Sequence, residues 1–110
     1  MTTIDELLEI EGVVAAGEFS REGELVEYGA NMDMSEEMAA TAAQFCATVT
    51  MLFDTLAGGF TEMSGMDWTP QHGWMYAGGT YTVAIGGNTG VFIETEKADF
   101  NQLYETLVES

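Results

Sequence analysis

The residues best suited to chemistry in this chain are Cys46, Ser64, Asp67 and His72. The last three share one stretch, Ser64-Gly65-Met66-Asp67-Trp68-Thr69-Pro70-Gln71-His72. Serine, carboxylate and imidazole are the parts of a hydrolytic triad, which needs a nucleophile, a base and an orienting acid within hydrogen-bond reach. The spacing does not support one. There is a single histidine, and no Gly-x-Ser-x-Gly turn to lift a serine above a sheet. His72 is therefore read as capping or solvating a loop, and no catalytic residue is assigned. Cys46 sits among Phe45, Ala47 and Val49 with no cation nearby to activate it, so it reads as an inert buried thiol. One cysteine and one histidine cannot make a transition-metal set, and no calcium-loop spacing appears. Gly86-Gly87-Asn88-Thr89-Gly90 lacks the lysine and the helix start of a phosphate loop and reads as a hairpin turn. No metal and no cofactor are expected.

Charge narrows the field further. Nineteen acidic residues face two basic ones, Arg21 and Lys97, for a formal charge of −17. Nucleic acid and anionic membranes both need basic residues that this chain cannot supply. A neutral or basic protein surface is the partner this charge favours, with solubility and a salt-rich cell interior as equally open explanations. The length of 110 residues predicts one domain, residues 1–110. The acidic N-terminus does not resemble a secretory signal, no apolar run approaches a membrane span, and a lone cysteine suits a reducing cytosol. A soluble cytoplasmic domain is expected.

The elements that position these residues follow from periodicity. Ile4, Leu7 and Leu8 mark a short amphipathic helix over Thr2 to Ile10. Val13 to Phe19 reads as a strand with Val13, Ala15, Gly17 and Phe19 on one face. Ser20-Arg21-Glu22-Gly23 turns into a returning strand, Glu24 to Tyr28. Ser35 caps a long helix whose first turn carries Glu36 and Glu37, and Gly58-Gly59 should stop it near Ala57. Its apolar stripe is Met38, Ala42, Phe45, Val49, Leu52 and Leu56, in alternating steps of four and three. No charge falls between Met38 and Phe53, and small Ala and Thr residues fill the other faces. A helix uncharged all round is buried on more than one side. Either the rest of the chain covers both sides, for which it offers too few elements, or a second copy approaches closely over the small Ala and Thr residues off the stripe.

Gly58 to Gly73 reads as a long packed loop, because Phe60, Met63, Met66 and Trp68 are too apolar for a disordered linker. Trp68, Trp74 and Tyr76 cluster near its end, either anchoring an interface or closing the core beneath the loop. The methionines of the helix and loop serve either as an adaptable binding surface or as core filler. Three strands follow, Trp74 to Ala77, Thr80 to Ile85 and Gly90 to Thr95, then a helix over Ala98 to Val108. The predicted class is α/β of the α+β kind. Its order is α-β-β-α-β-β-β-α, with helices packed on a five-stranded antiparallel sheet.

This order is similar to that of the roadblock/dynein-light-chain superfamily. The resemblance rests on Glu11-Gly12-Val13-Val14-Ala15-Ala16-Gly17-Glu18-Phe19-Ser20 followed by Gly23-Glu24-Leu25-Val26. The small-residue-rich helix and the Gly90-Val91-Phe92-Ile93 strand carry it as well. Ser64-Gly65-Met66-Asp67-Trp68-Thr69-Pro70 resembles an uncharacterised prokaryotic group within that superfamily. The resemblance implies a profilin-like fold and a homodimer built on the long helix and the strand after it. That would place Phe45, Thr48, Val49, Leu52, Trp74 and Tyr76 at the interface. It also implies a non-catalytic regulator or scaffold, since members often serve small GTPases and motor complexes and share no catalytic residues. The loop departs from the shorter link usual in the superfamily. Met66, Asp67, Trp68, His72 and Trp74 are its candidates for contacting a protein partner or, alternatively, a small molecule sensed in a pocket under the 58–73 loop.

Overall fold

The computed structural model describes residues 3–108, and five antiparallel strands form its single sheet. The strands are β1 (Val13–Phe19), β2 (Leu25–Ala30), β3 (Gly73–Ala77), β4 (Tyr81–Gly86) and β5 (Thr89–Glu94). Their order across the sheet is β2-β1-β5-β4-β3, which leaves β2 and β3 as the two edges. The helices are α1 (Ile4–Leu8), α2 (Glu36–Ser64) and α3 (Phe100–Leu107), with a 3-10 turn at Thr95–Lys97 before α3. Thr2, expected to open the first helix, lies outside the described residues. Thr3 caps α1 instead: its hydroxyl accepts from the Glu6 amide at 3.1 Å, and its own amide donates to Glu6 Oε1 at 3.3 Å. Asp99 caps α3, accepting from the Gln102 amide at 3.1 Å.

The helices lie on both faces of the sheet. On one face, Ile4 and Leu7 of α1 and Leu103 of α3 pack on Val13, Ala16, Ala84, Val91 and Ile93. On the other, α2 lies over β1 and β2. Here the sheet provides the bulk, Phe19 and Ile85, and the helix provides Ala43, Cys46 and Ala47. Small residues on the helix let its backbone come close to the sheet.

Three expectations need correction. The first concerns β1. Val13 packs with Ala16 on the α1 side, whereas Ala15 pairs with Phe92 on the α2 side. A register shift between Val13 and Ala15 reverses the alternation, as a β-bulge does. The second concerns the end of α2. The helix runs through Gly58-Gly59 to Ser64 and stops at Gly65, whose φ of 72° and bond to the Thr61 carbonyl form a left-handed cap. Each interior glycine costs about 1 kcal/mol relative to alanine. The chain offsets this by returning onto the last turns, where the Phe60 and Trp68 rings meet at 5.2 Å and the Trp68 amide donates to Thr61 Oγ1. The loop expected over 58–73 is thus only the segment 66–72.

The third correction bears most on function. The stripe of large apolar residues on α2 faces outward, and the alanine face packs on the sheet. Ala39, Ala43, Cys46, Ala47 and Ala57 are buried, while Met38, Phe45, Leu52, Leu56 and Met63 are exposed.

An apolar groove and a polar cleft on either flank of α2

The outward stripe of α2 is a heptad pattern. Ala42, Val49, Leu56 and Met63 recur every seven residues, interleaved with Met38, Phe45 and Leu52. Such a 3.5-residue period is the seam by which helices pair. At about 100° of rotation per residue, the acids of α2, Glu36, Glu37, Asp54 and Glu62, all fall away from this stripe. Thr41, Thr48 and Thr55 border it. Their hydroxyls donate to the carbonyls of Glu37, Gln44 and Met51 at 3.0, 2.9 and 3.3 Å. With the hydroxyls so engaged, the only charge on this flank is Glu37, at the N-terminal end of the groove.

Because α2 lies mainly over β1 and β2 and reaches the β4–β3 half of the same face only at Ile85 and Trp74, the rest of that half is left open. Trp74 and Tyr76 of β3 stand opposite Ile85 and Val83 of β4, so they share the α2 side. Between this bare part of the sheet and the helix runs an apolar groove lined by Phe45, Val49, Phe53, Trp74, Tyr76 and Val83. The Phe53 and Trp74 rings lie 5.7 Å apart, and Trp74 Nε1 donates to Thr50 Oγ1 at 2.9 Å. This bond sets the middle of β3 beside the middle of α2. Of the residues read from the sequence, Phe45, Val49, Trp74 and Tyr76 thus meet in one groove, with Thr48 and Leu52 exposed on the adjoining helix surface. Met38, read from the sequence as part of the apolar stripe, lines it too, as do Thr41 and Phe53, which were not singled out.

The two edges of the sheet differ. β2 carries Glu27 and follows Glu24, and charges of this kind deter strand pairing. β3 reads Gly-Trp-Met-Tyr-Ala with no charge and no proline, and Met75 and Tyr76 are exposed.

The 66–72 loop runs back along α2. Gln71 Nε2 donates to the Thr50 carbonyl at 2.7 Å and to Asp54 Oδ1 at 2.9 Å. Asp67, Trp68, His72 and Trp74 line a shallow depression beside Phe60, while Met66 is exposed and stands outside it. The triad candidates do not assemble. Ser64 Oγ donates to the Phe60 carbonyl and accepts from the Met66 amide, and Asp67 Oδ1 accepts from the Thr69 amide at 3.3 Å. Both side chains serve to shape the turn. Cys46 lies under α2, where burial pushes its thiol up to about 11. Among the described residues no group of three His, Cys, Asp or Glu side chains is placed to hold a metal ion. No helix there is long and apolar enough to cross a membrane.

The model of the family DUF2173, an uncharacterized conserved protein, matches residues 3–109. The chain belongs to the DUF2173 family. No curated protein matches its sequence. Solved structures do match this DUF2173 chain. A Roadblock/LC7 domain from Streptomyces avermitilis superposes with a TM-score of 0.77 at 17% identity, covering 96% of this chain and 88% of that one. The gliding protein MglB of Thermus thermophilus gives 0.70 at 15% identity, covering 96% and 83%. MglB of Myxococcus xanthus gives 0.58 at 10% identity, covering 88% and 81%. The likeness is one of fold, and the DUF2173 chain has the roadblock/LC7 fold, as its hairpin and long-helix residues implied.

Proposed function

We propose that this chain, as a single roadblock-like domain, is a non-catalytic homodimeric adaptor or regulator that binds a cytosolic protein partner. One observation carries the reading: an uncharged heptad stripe and an unguarded strand edge adjoin, with their midpoints side by side. The midpoint of α2 is Thr50, and Thr50 holds Trp74, the neighbour of the β3 midpoint Met75. A twofold axis there pairs two β3 edges into one ten-stranded sheet and lays the two α2 stripes along each other. Such a contact is isologous and closes on itself.

The size of the surface fits. Met38, Phe45, Leu52, Leu56, Met75 and Tyr76 are each between 39 and 68% exposed. At about 200 Å² for a large side chain this amounts to roughly 650 Å² per copy, near the roughly 800 Å² that each partner gives to a standard interface. An MglB with tetrameric arrangement also shares the fold, at a TM-score of 0.71 and 14% identity. Assembly of copies is therefore compatible with this architecture. With the groove filled by a second copy, the acidic outer surface is left for a neutral or basic protein.

The test is the native mass of the protein purified gently from its own cells. Two chains plus a protein supports the reading and identifies the partner. A monomer at micromolar concentration refutes it.

A further inference from the structure

The other flank of α2 carries a second feature, which shares only Trp74 with the groove. Ala47, Thr50 and Asp54 lie roughly 120–180° around the helix from Met38 at about 100° per residue. They form one wall of a cleft. The β1–β2 turn with Arg21, the β4–β5 turn with Gly87 and Asn88, and the loop segment Thr69 to Gly73 close the other sides. Phe19, Ile85 and Trp74 also line it and supply apolar surface.

This cleft gathers scarce chemistry. The protein has two basic residues and one histidine. Lys97 is paired with Glu94 at 2.9 Å. Arg21 makes no ion pair or hydrogen bond among the described residues, despite nineteen carboxylates in the chain, and it shares the cleft with His72. The one acid lining the cleft, Asp54, already accepts from Gln71. The walls are fixed before any ligand arrives. Gln71 and Trp74 tie the loop to Thr50, and the Phe19 amide donates to the Asn88 carbonyl at 2.9 Å, which joins the two turns.

We propose that this cleft binds a small organic anion, a carboxylate or phosphate group carried on a flat or apolar body. The Arg21 guanidinium takes the anionic group in charge-assisted hydrogen bonds, with donors from His72 and the Asn88 amide. The body lies against Trp74, Met51 and Pro70. The assignment does not rest on dimerisation, so either reading stands if the other fails.

The experiment is an NMR titration of the intact protein with phenyl phosphate and with benzoate. Inorganic phosphate tests the anionic group alone, and benzyl alcohol tests the body alone. The expected result is that phenyl phosphate or benzoate moves the Trp74 indole and the Arg21 and His72 signals at millimolar concentration. Arg21→Gln should weaken that binding about tenfold or more, and His72→Gln should weaken it less. Benzyl alcohol should move none of these signals. Three results would each overturn the proposal: no shift with either aromatic anion, equal affinity in Arg21→Gln, or phenyl phosphate binding no tighter than inorganic phosphate. Arg21 is exposed on a turn, so the variant folds, and its native mass, read in the same samples, stays that of the parent.

Discussion

Replacing Phe45 by glutamate should separate assembly from folding. Phe45 is 68% exposed in the single chain. For a side chain of about 200 Å², pairing would remove roughly 140 Å² from water, about 3.5 kcal/mol per copy at roughly 25 cal/mol per Å². Both copies present the residue, so the change removes about 7 kcal/mol of gross burial and adds two carboxylates that lose hydration. Such areas overstate net effects, because association also orders side chains. Halving the figure still predicts a dissociation constant weakened about three-hundredfold. In the isolated chain the same change touches solvent and introduces a good helix former, so folding stability should move by no more than about 0.5 kcal/mol. Sedimentation equilibrium at micromolar concentration distinguishes the 11.9 kDa chain from its dimer, and circular dichroism confirms the fold. If Phe45→Glu sediments as a dimer with the parent's affinity, the stripe is not the interface.

Other expectations can be checked with simple measurements. Each copy carries a formal charge of −17, so self-repulsion should make the dimer tighter as sodium chloride is raised, and a dissociation constant that rises with salt would contradict this. Gly86→Ala places a Cβ against the Leu107 carbonyl, backbone that cannot swing aside. It should cost about 1–3 kcal/mol, read as a lower urea midpoint. The Cys46 thiol is raised from 9.0 to about 11 by burial, so at pH 8 it should react with an aromatic disulfide far more slowly in the native protein than in urea. The sign for stability follows: the folded chain keeps its proton where the unfolded one has lost it. Stability contributed by this group is full below pH 9 and declines as pH rises toward about 11, which denaturant titrations at pH 8 and 10.5 would show.

The hairpins, the cap at Ser35 and the order of elements along the chain were legible because each has a local cause. Turn glycines, N-cap hydroxyls and two-residue alternation act within a few positions. Three features were not legible, for a shared reason. The reach of α2 past Gly58-Gly59 depends on Trp68 folding back onto Phe60, a contact that periodicity does not reveal. The parity of β1 depends on a bulge opposite β5. Which side of α2 meets the sheet depends on the space the sheet leaves, and beside Phe19 and Ile85 that space holds the small Ala43, Cys46 and Ala47. For the candidate sites, Phe45, Val49, Trp74 and Tyr76 were legible as apolar residues near one another in the fold. Arg21 was visible only as a scarce charge, because the turns that bring it to His72 are far apart in sequence.

The placement of alanines inward and bulky residues outward on α2 has an evolutionary consequence. The residues that hold the helix to its own sheet and those proposed to select its companion are different side chains on one rod. Substitutions along Met38, Phe45, Leu52 and Leu56 can therefore retune who pairs with whom while the domain keeps its shape. After a gene duplication, a few reciprocal changes on this one face would suffice to turn a self-pairing protein into an obligate pair of unlike subunits. The same scaffold can in this way supply new assemblies without relearning how to fold.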